Sequence, residues 1–104
     1  MAIYEKFVGA SRDDFLSLED AQKNYKLVYK DDFNFAYDVM DELGRTKPDK
    51  LAMVWVSADG EEKRFTFRDL MIASNKAANY LKYMGIRKGD RVMLVLKRNY
   101  FFWF

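Results

Sequence analysis

Carboxylates are the first residues to weigh for chemistry, because several stand in adjacent pairs, among them Asp13-Asp14, Glu19-Asp20 and Asp31-Asp32. Two carboxyl groups share a reaction site only when they point into the same space, and neighbouring residues on a helix or strand diverge. The pairs are therefore read as solvated faces or as charges at helix starts. Gly85 and Gly89 with Lys88 between them invite a phosphate reading. A phosphate cradle needs a glycine-rich loop that opens a helix, whereas the residues after Gly89 have the pattern of a strand, so this stretch is read as a turn. Arg87, Lys88, Arg91, Lys97 and Arg98 gather near aromatic residues. Asp90 interrupts them and no nucleic-acid motif surrounds them, so no nucleic-acid partner is expected. Histidine and cysteine are both absent, which removes imidazole bases, thiolate nucleophiles, disulfides and Cys/His zinc sites. No residue is assigned a catalytic, cofactor-binding or metal-binding role.

The elements that would position such residues follow from a chain of 104 residues, 50% hydrophobic and 17% aromatic, with a formal charge of +2. That is the size of one domain and the composition of a chain that folds. Charge divides unevenly, with 8 basic and 11 acidic residues in 1–50 against 10 and 5 in 51–104. In the first half, Ser17 caps a helix with Asp20 as its capping-box partner, and Ala21, Tyr25, Val28 and Tyr29 fall on one face. Asn34 caps a second helix in which Phe35, Val39, Met40 and Leu43 share a face, Gly44 ends it in the left-handed conformation, and Pro48 forbids continuation.

The period then changes. Leu51 to Val56 is an apolar run of strand length, Asp59-Gly60 is a hairpin turn, and a second strand lies around Arg64-Phe65-Thr66. Thr66 and Asp69 form a capping box that starts a helix at Phe67; Leu70, Ala73, Ala77, Leu81 and Met84 line one face, and Gly85 closes it. Val92 to Leu96 reads as a strand buried on both faces, which completes a βαβ-like unit of α/β class. Asn99 caps a further helix at Tyr100-Phe101-Phe102-Trp103-Phe104. Five consecutive aromatics at a terminus imply a piece of a longer chain, and with an uncovered sheet edge they predict a homo-oligomer that associates through Tyr100 to Phe104. No apolar run approaches the roughly 20 residues of a membrane span, and no leader pattern is visible at the start, so a soluble, cytoplasmic protein is expected.

From Phe33 to Phe104 the sequence resembles the beginning of the large N-terminal domain of AMP-forming acyl-CoA synthetases, in the adenylate-forming superfamily. The stretches that carry this are Phe33-Asn34-Phe35-Ala36-Tyr37-Asp38-Val39, Lys47-Pro48-Asp49-Lys50-Leu51-Ala52, Phe65-Thr66-Phe67-Arg68-Asp69-Leu70, Gly85 to Val92, and Leu96-Lys97-Arg98-Asn99. The Phe-Asn-Phe-Ala opening is similar to the medium-chain and acetyl-CoA synthetase-like branch. The resemblance implies an N-terminal helical appendage over 1–32 and, over 33–104, the incomplete first part of the adenylation domain, truncated at its C-terminal end. It implies a parent ligase that activates a small or medium carboxylic acid with MgATP as an acyl-adenylate and passes it to coenzyme A. The parts that do this in the family, a phosphate loop, an acidic magnesium motif, a ribose aspartate and a mobile lysine, have no match in these residues. The 104-residue chain is thus expected to be inactive and to bind neither ATP, magnesium nor coenzyme A. The alternative is a stand-alone interaction module that uses the aromatic tail.

Overall fold

A computed structural model describes residues 3–8 and 15–104; Met1, Ala2 and the Asp13-Asp14 pair lie outside the described residues. The chain divides into two compact units, Met1–Asn34 and Phe35–Phe104. In the first, a 3-10 turn at Ile3–Lys6 precedes helix α1, Leu18–Asn24. Ser17 caps α1 by accepting the Asp20 amide at 3.1 Å, but the Asp20 carboxylate reaches one residue further back than a capping box requires and accepts the Leu16 amide at 3.1 Å. The helix stops at Asn24, so Tyr25, Val28 and Tyr29 do not continue the face expected for them. Two helical turns without a buried face gain too little to propagate. The chain is held instead by an antiparallel bridge of Val8 to Leu27 and by the Val28 amide on the Phe7 carbonyl at 2.8 Å. Phe33 packs edge-on against Phe7 with ring centres 5.2 Å apart.

The second unit begins with a π-helical segment, Ala36–Asp41, that runs directly into α2, Glu42–Thr46. Gly44 was expected to end this helix, yet it lies inside α2 and is buried. Its function there is close approach: a Cβ on Gly44 would stand 2.7 Å from both Cβ and Sδ of Met71. The helix ends two residues later, ahead of Pro48.

Strands β1, Leu51–Val56, and β2, Glu62–Thr66, form an antiparallel hairpin. Ser57 closes its turn, its amide donating to the Glu61 carbonyl at 2.9 Å and its hydroxyl accepting the Glu61 amide at 2.9 Å. Register pairs Leu51 with Thr66 and Met53 with Phe65, so Ala52 is an extra residue, a β-bulge. Helix α3, Phe67–Tyr83, starts where the sequence places it, with both arms of the capping box formed. The Asp69 amide donates to the Thr66 hydroxyl at 3.2 Å and the Thr66 amide to the Asp69 carboxylate at 2.8 Å. It ends in a Schellman motif: Ile86 N–H on the Leu81 carbonyl at 3.1 Å and Gly85 N–H on that of Lys82 at 3.0 Å, with Gly85 at φ +86°. Leu70 is buried, and Ala73 and Ala77 are half-covered, whereas Leu81 and Met84 at the far end of the same face are exposed.

The molecule is α/β, with helices and a two-stranded antiparallel hairpin. Val92 to Leu96 does not form the doubly buried strand expected of it. Among the described residues the hairpin is the only sheet, and residues 91–98 make no backbone hydrogen bond to any other segment. Met93 and Val95 are 88% and 82% exposed. A strand covered on both faces needs flanking strands and two layers of helix, which two hairpin strands and one long helix do not supply. The βαβ-like unit is accordingly not closed.

Candidate functional site

Two features of the second unit gather side chains from several elements. The first is an open apolar cavity of about 460 Å³. Phe35, Ala36 and Met40 line one side of it, as the shared face expected of Phe35 and Met40 implies. The bulge acts on β1, because Ala52 and Met53, consecutive residues that would alternate in a regular strand, both line the cavity. Phe67, Leu70 and Ser74 of α3 form another wall, and Trp103 and Phe104 close the rim. Ser74 supplies the hydroxyl of this lining, which it already donates to the Met71 carbonyl at 3.1 Å. The lining holds no titratable side chain; it can accommodate apolar matter.

The second is an aromatic cluster on the hairpin. The 3-10 turn Tyr100–Trp103 is capped by Asn99, whose side-chain oxygen accepts the Phe101 amide at 3.2 Å. Tyr100 lies 5.2 Å from the rings of both Trp55 and Phe65, and Phe104 stands 5.6 Å from Phe65. Lys63 donates to the Tyr100 hydroxyl at 3.1 Å, which holds its ammonium above the usual lysine value, with Glu61 nearby adding to the effect. The five tail residues are thus not equivalent. Tyr100 and Phe104 are half-covered by their own hairpin, while Phe101, Phe102 and Trp103 remain more than half exposed.

Two further carboxylates define the electrostatics. Asp69 is held below the usual carboxylate range by the hydrogen bonds it accepts from Thr66, with Arg68 contributing less. It occupies the N-terminus of the one long helix among the described residues, the place an anionic phosphate would otherwise take. Asp41 is buried and its Oδ1 has no hydrogen-bond partner. Sequence reasoning missed both Asp41 and the Gly44–Met71 contact, because neither the π-helical offset nor a helix crossing has a local signature. No cluster of three metal-ligating side chains occurs among the described residues, and no helix among them is long and apolar enough to cross a membrane. The Glu19-Asp20 and Asp31-Asp32 pairs lie on the exposed or half-exposed surface of the first unit. No reaction step is derived through a nucleotide phosphate, magnesium or coenzyme A.

Residues 40–103, which run from the first helix of this unit through the hairpin and α3 into the aromatic turn, match the AMP-binding enzyme family. The chain belongs to the AMP-binding enzyme family. Among its relatives is human acyl-coenzyme A synthetase ACSM3, mitochondrial, 37% identical over 95 residues, covering 86% of this chain and 16% of that protein. Rat acyl-coenzyme A synthetase ACSM5, mitochondrial, is 46% identical over 72 residues, 64% of this chain and 12% of the relative. Rat ACSM4, mitochondrial, is 37% identical over 92 residues, 83% and 15%. The chain of this family member therefore spans about a sixth of the length of such curated relatives. The ACSM3 similarity also reaches into the first unit, beyond the Phe33–Phe104 stretch on which the resemblance rested. These mitochondrial relatives overturn the cytoplasmic expectation. A cysteine-free composition fits several compartments, so it never discriminated between them.

Proposed function

We propose that these residues are the opening part of an AMP-forming acyl-CoA synthetase of the medium-chain type, and that the parent protein acts in mitochondria. In this reading residues 1–32 are a helical appendage, and 33–104 begin the adenylation domain, with 92–96 entering a sheet that later residues complete. The parent activates a small or medium carboxylic acid with ATP and magnesium as the acyl-adenylate and pyrophosphate, and coenzyme A then displaces AMP to give the thioester. The observation that carries this reading is the similarity over 95 residues to an acyl-coenzyme A synthetase, on top of the family match. The 104 residues contribute scaffold: the capped helix α3, the hairpin, and the apolar surfaces that the rest of the domain covers. They hold none of the reacting groups and are inactive alone.

Carboxylate-dependent exchange of pyrophosphate into ATP tests both halves of this proposal. The full-length parent is expected to catalyse it with medium-chain acids, and its failure with every acid overturns the ligase assignment. Exchange by the isolated 104 residues overturns their inactivity. The exposure of Phe102 and Trp103, 53% and 68%, favours a second reading, an interaction module working through Tyr100 to Phe104. Trp103→Ala then abolishes partner binding, whereas under the ligase reading it leaves nothing to abolish in the isolated chain.

A further inference from the structure

We draw no further inference here: the strongest candidate, the open apolar cavity between the π-helical segment, β1, α3 and the aromatic turn, is an unpartnered apolar surface, and nothing in the structure shows what covers it.

Discussion

Residues 66–86 and residues 90–98 are of similar apolar content but opposite structural fate. The first stretch is closed at both ends by its own side chains and glycine, Thr66 with Asp69 at the start and the Schellman bonds at Gly85 at the finish. In the second, residues 91–98 have no backbone partner among the described residues. A helix satisfies its backbone within itself and needs outside help only at its ends. A strand satisfies nothing alone, so its fate rests on residues far away in sequence or on another chain.

That contrast is open to attack by substitution. The largest effect is expected from Leu70→Ala, which empties one of the two buried apolar positions among the described residues, on α3. It is expected to cost about 2–4 kcal/mol in urea unfolding, and a loss under 1 kcal/mol would mean that α3 is held by its ends rather than by packing. Next is Gly44→Ala. The new methyl meets the Met71 Cβ at 2.7 Å, and a net loss of about 1–3 kcal/mol is expected even though alanine favours the helix.

Removing the cap hydroxyl by Thr66→Ala is expected to cost about 1 kcal/mol and to flatten the acid limb of stability only in part, because the Thr66 amide still donates to the Asp69 carboxylate. The sign follows from Asp69, whose folded pKa lies below its ordinary value. Its contribution is present above the unfolded value near 4 and is lost as pH falls through the folded one. A pH series from 6 to 2 on both proteins reads this. The smallest effect belongs to the open stretch, where Val95→Ser is expected to change the stability of the monomer by less than about 0.5 kcal/mol. Amide exchange sharpens the same point: protection is expected across α3, and none over 91–98 in the isolated chain.

What was legible in the sequence divides along the same line. The box at Thr66, the stop at Gly85, the hairpin turn and the Asn99 cap are each written within a few residues, and all appear in the structure. Gly44 was misread because a glycine near a helix end has two uses, left-handed termination and close approach, and only the partner Met71 decides between them. Val92 to Leu96 has the composition of a covered strand, yet composition cannot supply the neighbours. The cavity was illegible for a related reason: its lining joins separate elements, and it includes the consecutive residues Ala52 and Met53 at a one-residue bulge that no period reveals. The family, in contrast, was legible from short motifs in order, since order is a property of the sequence itself.

The packing of Tyr100 on Trp55 gives the chain an optical reporter. Its two tryptophans sit in unlike surroundings, Trp55 half-covered and edge-on to Tyr100, Trp103 open to water. With Trp103→Phe the remaining indole emission comes from the hairpin alone, and a red shift then follows the moment at which the last five residues lift from it. The same signal distinguishes a tail recruited by another molecule from one that stays on its own strands.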